Sequence, residues 1–190
     1  MIGIHSAFNH PVMTRLGVSV KYLSALVGIL LSFSVMAATL EEGYQAVRGG
    51  ELDKGFAILS ELAKTGDADA QFALAILYRE GWGTEKDLKT AFELYLKSAE
   101  QGHPGGMFET GWAYQSGEGV IKDYAKAVPW YEKAANVGHP AAMYALGGLY
   151  YNGMGVTKDE KQGNEWFKRS AQAGYQPAIQ YLEQINAMNP

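Results

Sequence analysis

Residues 139–174 read HPAAMYALGGLYYNGMGVTKDEKQGNEWFKRSAQAG. The block before it, residues 103–138, reads HPGGMFETGWAYQSGEGVIKDYAKAVPWYEKAANVG, and residues 67–102 read DADAQFALAILYREGWGTEKDLKTAFELYLKSAEQG. The three blocks of 36 residues align without a gap. A fixed period of this length marks a solenoid, whose units bury their apolar faces against their neighbours rather than around one centre.

Each block predicts two helices, so the fold expected is all-α, a solenoid of antiparallel helix pairs. Helix A runs from about the third to the fourteenth position. Ala70, Leu74, Leu77 and Tyr78 recur at helical spacing there, as do Ala142, Leu146, Leu149 and Tyr150. Gly81, Gly117 and Gly153 then suit a left-handed terminator that only glycine adopts cheaply, and a second glycine follows two residues on. Asp87, Asp123 and Asp159 stand where a carboxylate caps the free amides of a new helix, worth about 1 kcal/mol. Helix B carries Tyr95, Trp130, Tyr131, Trp166 and Phe167 with small residues at Ala99, Ala135 and Ala171, and stops at Gly102, Gly138 and Gly174. Pro104 and Pro140 suit the opening of the next helix A. Two positions strain the pattern. Pro129 falls inside the second helix B, where a kink is expected, and Gly163 replaces Ala91 and Ala127, which weakens the third helix B.

The flanks complete the solenoid. Residues 38–66 predict an N-terminal capping helix pair turning at Gly49-Gly50, and residues 175–190 a C-terminal capping helix with Gln180, Glu183, Gln184 and Asn186 on a polar face. Residues 1–37 have another character. Arg15 and Lys21 precede an uncharged run from Tyr22 to Leu40, and small residues appear at Val35, Ala37 and Ala38. That is the pattern of a secretory signal peptide cleaved after Ala37, with Met1 or Met13 as the start. An uncleaved anchor is the alternative reading of the same run. Either way the remainder faces outward, and the membrane is touched only through this segment if it is retained.

All acidic residues follow Thr39. The chain after residue 37 therefore carries 14 basic against 20 acidic side chains, a net of −6. This gives no basic stripe for a phosphate backbone, so no nucleic-acid partner is expected. The chain has no cysteine, which removes disulfides, thiolate nucleophiles and cysteine metal sites.

The motif A-x-Y-x-L-G-x-L-Y-x-x-G-x-G-V-x-x-D followed by a W-Y-x-K-A-A-x-x-G element resembles that of Sel-one-like repeats (SLR), relatives of tetratricopeptide repeats. It is carried best by Tyr144, Leu146, Gly147, Tyr150, Gly153, Gly155, Val156, Asp159, Trp166 and Gly174 and covers residues 67–174. The resemblance implies a curved right-handed α-solenoid whose work is to hold other proteins, in bacterial members often after export. The turn in the N-terminal pair resembles that of tetratricopeptide repeats more closely. Relatives described as penicillin-binding or β-lactamase-like are cysteine-rich, so that activity does not carry over to this chain.

No cofactor, metal or catalytic set is expected. The Gly-x-Gly loops follow helices and lack a phosphate-binding lysine. His103 and His139 occupy equivalent positions in successive units and read as surface residues at helix starts. Glu109 and Glu118 read as solvated acids rather than a catalytic pair. What remains is a surface on helix A. Positions that change from unit to unit while facing the inner curve are the candidates for recognition: Ile76 and Trp112, then Arg79, Gln115 and Tyr151, with Phe72, Phe108 and Tyr144 one turn earlier. The function expected is an exported scaffold or adaptor, periplasmic or secreted, that binds a protein or peptide on its concave helix-A face. The alternative is a cell-wall or carbohydrate-processing enzyme on the same fold.

Overall fold

Helix starts and stops are set by single residues in the computed structural model, which describes residues 39–188. Asp87 accepts hydrogen bonds from the amides of Lys89 and Thr90, Asp123 from Lys126 and Asp159 from Gln162, at 2.9–3.1 Å. At the other ends, Gly81, Gly117 and Gly153 are left-handed, with φ of 75°, 87° and 71°. The helices that result are α1 (residues 39–48), α2 (Leu52–Lys64), α3 (Ala68–Glu80), α4 (Leu88–Glu100), α5 (Pro104–Ser116), α6 (Tyr124–Asn136), α7 (Pro140–Asn152), α8 (Glu160–Gln172) and α9 (Gln176–Met188). From α2 to α9 each helix packs against its neighbours in the chain, so α3–α4, α5–α6 and α7–α8 are successive pairs of an α-solenoid. The signal-peptide reading of residues 1–37 lies outside the described residues. Within them no helix is long and apolar enough to cross a membrane.

One aromatic residue from each helix B anchors its pair. Tyr95, Tyr131 and Phe167 are buried on α4, α6 and α8. Each needs a small residue facing it. A Cβ at Gly111 would lie 2.8 Å from the Tyr131 ring and one at Gly147 2.5 Å from the Phe167 ring. These glycines, costly to a lone helix, let the backbones of the pair approach. Gly163 has the same effect. A Cβ there would meet the Gly147 carbonyl oxygen at 2.8 Å, so the residue that weakens α8 in isolation tightens its packing on α7. The Ser98 and Ser170 hydroxyls donate across their pairs to the carbonyls of Ala68 and Pro140 at 2.8 and 2.7 Å.

The second loop glycine locks one unit to the one before. Gly83, Gly119 and Gly155 have φ of 69°, 71° and 73°. A Cβ at Gly83 would lie 2.5 Å from the Leu52 carbonyl oxygen, and at Gly119 and Gly155 it would overlap the carbonyl groups of Leu88 and Tyr124. Leu52, Leu88 and Tyr124 are the first residues of α2, α4 and α6, so each loop rests on the opening turn of the preceding helix B. The loop is also tied at its far end, where the amides of Asp87, Asp123 and Asp159 donate to the carbonyls of Tyr78, Tyr114 and Tyr150 at 2.8–2.9 Å.

The helix α6 runs as one element through Pro129. The proline lies in its second turn, so its missing amide deprives only the carbonyl of Ala125 of a partner. Tyr150 is half-buried. Its ring lies at the margin of the core formed by α6 and α7, and its hydroxyl donates to Glu132 at 3.2 Å.

The histidines at 103 and 139 are helix caps. His103 Nδ1 accepts from the amide of Gly106 at 2.9 Å and His139 Nδ1 from that of Ala142 at 3.3 Å. Each ring stacks on the aromatic of the preceding helix A, Phe72 at 4.5 Å and Phe108 at 4.8 Å between centroids. An accepting Nδ1 must be unprotonated. Burial holds His139 below its ordinary value of 6.5, with His103 adding to the effect. The folded pKa is thus below the unfolded one. The contribution is fully present above 6.5 and is lost as pH falls from there through the folded value. Thermal midpoints measured from neutral pH downward should fall below 6.5, and His139→Asn, which keeps an acceptor without titrating, should flatten that fall. An identical slope in the variant would show that the cap does not titrate.

Candidate functional site

The last turn of α3 ends in Arg79 and Glu80, and α5 passes beside it. Arg79 Nη1 donates to Glu109 Oε2 at 2.9 Å and Nε donates to Glu80 Oε1 at 2.8 Å. The guanidinium carbon lies 5.8 Å from the centroid of the Tyr95 ring on α4. Arg79, Tyr95, Glu109, Trp112 and Glu118 line one small cavity of about 10 Å³, set where α3, α4 and α5 meet. Burial pushes the Glu109 carboxyl up, with Arg79 acting against it and Glu118 and Glu80 adding to it. Burial also raises the Tyr95 phenol, and the charge of Glu109 reinforces that. Tyr95 is 3% exposed, and among the described residues its hydroxyl has no hydrogen-bond partner. Trp112 is 41% exposed and forms one wall.

The arrangement belongs to this seam alone among the three repeats. One repeat further on, Gln115 stands in the place of Arg79, and it accepts from the Tyr131 hydroxyl at 2.9 Å. Ala145 and Met154 replace Glu109 and Glu118, and Gly148 replaces Trp112. Arginine offers donors only. The hydroxyl that Tyr131 satisfies through glutamine therefore has no equivalent acceptor at Tyr95.

The structure thus gathers two of the eight candidates, Arg79 and Trp112, and adds Tyr95, Glu109 and Glu118. The reading of Glu109 as a solvated acid is corrected: its side chain is 18% exposed and ion-paired. The signal for it was a charge pair spanning two helices A. That pair is invisible until the pitch of the solenoid is known. The remaining candidates lie outside this cavity. Phe72 and Phe108 stack on the capping histidines, and Ile76 packs on the cluster of Ala75, Ala91 and Tyr95. Gln115 is taken up by Tyr131. Tyr144 lies 5.2 Å from Phe167 and 5.5 Å from Tyr175, and Tyr151 lies 6.4 Å from Phe167. A second, wider groove of about 390 Å³ runs between α2 and α4 over α3, lined by Phe56, Tyr78, Leu94, Lys64 and Lys97. Among the described residues no three His, Asp or Glu side chains gather as metal ligands.

The Sel1 repeat family pattern matches residues 68–103, 104–139 and 140–175, one residue later than the blocks read from the sequence. A comparison with the curated proteins finds no match. Among solved structures, a Sel1 repeat protein from Oxalobacter formigenes is 31% identical with a TM-score of 0.69, over 74% of this chain and 56% of its own. The protective antigen c5321 of uropathogenic Escherichia coli strains, which displays an SLR fold, is 28% identical with a TM-score of 0.73, over 77% of this chain and 32% of its own. The immunity protein Pa5087 of Pseudomonas aeruginosa is 28% identical with a TM-score of 0.52, over 76% of this chain and 55% of its own. The chain therefore spans between a third and little more than half the length of these neighbours. Three consecutive repeats with loop glycines, capping aspartates and paired helices all in register have one interpretation: the chain belongs to the Sel1 repeat family.

Proposed function

We propose that the protein is an exported scaffold, periplasmic or secreted, that holds a protein or peptide segment on the helix-A face around Trp112 and performs no catalysis. The Sel1 repeat fold is commonly a protein-interaction scaffold. The observation that carries the reading further is Trp112 itself, a tryptophan 41% exposed beside a charged cavity, at a position that other units fill with isoleucine or glycine. Packing does not call for that residue, and an exposed tryptophan beside a pocket is a common anchor for a partner. The rival, a hydrolase, would find its raised carboxyl in Glu109. A cavity of about 10 Å³ does not admit a reacting centre together with an attacking group, which favours recognition over chemistry.

The test combines location and binding. Tagged protein recovered from the cell envelope should have its amino terminus at Ala38 and bring a partner with it. Trp112→Ala should cost roughly 1 kcal/mol of stability or less, as for other exposed positions, and lose that partner. An intact amino terminus in the cytoplasm would remove the export half of the reading. A folded variant that holds the partner as well as the parent would move the binding surface elsewhere, with the groove between α2 and α4 next to be tested.

A further inference from the structure

The groove between α2 and α4 differs from the two seams that follow it by one missing ring. Its wall repeats. Phe56 meets Tyr78 edge to face at 5.4 Å between centroids, and one repeat further on Phe92 meets Tyr114 in the same way at 5.2 Å. Leu94 also lines the groove, and its counterparts are Trp130 and Trp166. Both tryptophans pack against the buried cluster that includes Ala99, Met107, Ala135 and Met143, the counterparts of the groove residues Ala63 and Gln71. Each also lies under a cation three residues on. Lys133 Nζ is 4.0 Å from the Trp130 ring centroid, and the Arg169 guanidinium carbon is 4.2 Å from that of Trp166. In the first seam the cation is kept, as Lys97, and the indole is not. What stands there instead is the open groove of about 390 Å³, within the range of about 300–1,000 Å³ usual for ligand sites.

Charge narrows the occupant further. Lys64 and Lys97 line the groove and no carboxylate does. The counterparts of Lys64 are Glu100 and Asn136, so the second cation belongs to this seam alone. Its pair with Glu61 joins two largely exposed side chains and holds it weakly. Lys97 has no ion pair among the described residues. Gln71 asks for nothing, since its amide donates to the Ala63 carbonyl at 3.4 Å and accepts from Gln101 at 2.7 Å. We infer that the groove receives a tryptophan side chain from an acidic segment of a partner protein. The indole takes the place that Trp130 and Trp166 take in the following seams, beneath Lys97, and the flanking carboxylates meet Lys64 and Lys97. This surface is separate from the one around Trp112 and does not rest on it.

The probe is an N-acetylated, C-amidated pentapeptide with tryptophan between two pairs of glutamates. It is titrated at low salt into isotope-labelled protein while the backbone amides of Leu94 and Lys97 are followed by NMR. Their shifts should saturate. The same peptide with leucine for tryptophan should bind at least roughly tenfold more weakly, and that with glutamines for glutamates roughly threefold. Leu94→Trp supplies the indole from within, so its thermal midpoint should rise and the probe should lose its place. Lys97→Gln alters an exposed side chain, so the fold should hold while the probe binds roughly threefold more weakly. No saturable shift, equal binding of the leucine peptide, or undiminished binding to Leu94→Trp would overturn the assignment. So would a lowered midpoint in Leu94→Trp, which would show that the groove does not fit an indole. Equal binding of the glutamine peptide would overturn the acidic character of the segment. Self-association of the protein alone that Leu94→Trp abolishes would replace the partner by a second copy of this chain. If the probe fails while Trp112→Ala still loses its partner, the groove falls and the scaffold surface stands. If the probe binds and Trp112→Ala keeps its partner, the groove stands and the surface around Trp112 falls.

Discussion

Gly119→Ala should lower stability by about 3–5 kcal/mol, whereas Gly117→Ala, two residues away, should cost only about 1–2 kcal/mol. Both glycines are left-handed, with φ of 71° and 87°, so both variants carry the strain of placing a side chain there. They differ in what the new methyl meets. At Gly117 the nearest atom is the Lys122 Cβ at 3.3 Å, which can yield. At Gly119 the methyl would overlap the Leu88 carbonyl in the first turn of α4, and backbone held by a capped helix does not yield cheaply. Chemical denaturation of the two variants beside the parent measures the difference. Equal losses would mean that the loop lifts away from α4 at little expense, and that the interlock between units contributes little.

Tyr131→Ala is expected to cost about 3–5 kcal/mol, the range for truncating a large buried aromatic. The side chain is fully buried, lies against Gly111 and donates to Gln115, so its removal leaves both a cavity and an unfilled acceptor. Tyr150→Ala should cost roughly half as much or less, because its side chain is only partly buried and its Glu132 partner is returned to water. Thermal or denaturant midpoints of the two variants rank them directly. A larger loss at Tyr150 would place the weight of the core on α7 rather than on the helix-B aromatics.

What could be read from the sequence divides by distance along the chain. Asp87, Asp123 and Asp159 as caps, the glycine stops and the prolines at the openings of α5 and α7 act within one turn, and the residue types alone announce them. The repeat multiplies each signal threefold. The second loop glycine was visible as a pattern but not as a cause, since its neighbour lies in the preceding unit. Pro129 predicts a kink inside the second helix B, and α6 continues through it as one element with the proline in its second turn. The sequence sets His103 and His139 at helix starts, whereas their Nδ1 caps follow from ring orientations fixed by stacking on Phe72 and Phe108. In the candidate site, variation between units singled out Arg79 and Trp112. The same comparison hid Tyr95, since Tyr131 repeats it and a repeated residue reads as architecture. What separates the two tyrosines is the residue opposite, glutamine in one seam and arginine in the other. Glu109 was missed for the reason that joins it to Arg79: only the stacking of α3 on α5 brings them together.

The resting of Gly83, Gly119 and Gly155 on Leu52, Leu88 and Tyr124 also sets a schedule for chain synthesis. The opening turns of α2, α4 and α6 are each covered by a residue made 31 positions later, in the interval from Leu88 to Gly119 for instance. A chain emerging from a ribosome or through any pore therefore always trails one uncovered helix start behind its leading order. Each unit is completed by its successor, and order advances as a front one loop in arrears of the newest residue. Slowing or stalling emergence within such an interval exposes the same small patch of backbone at the start of α2, α4 or α6, so a factor that shields this patch once serves each of these helices in turn.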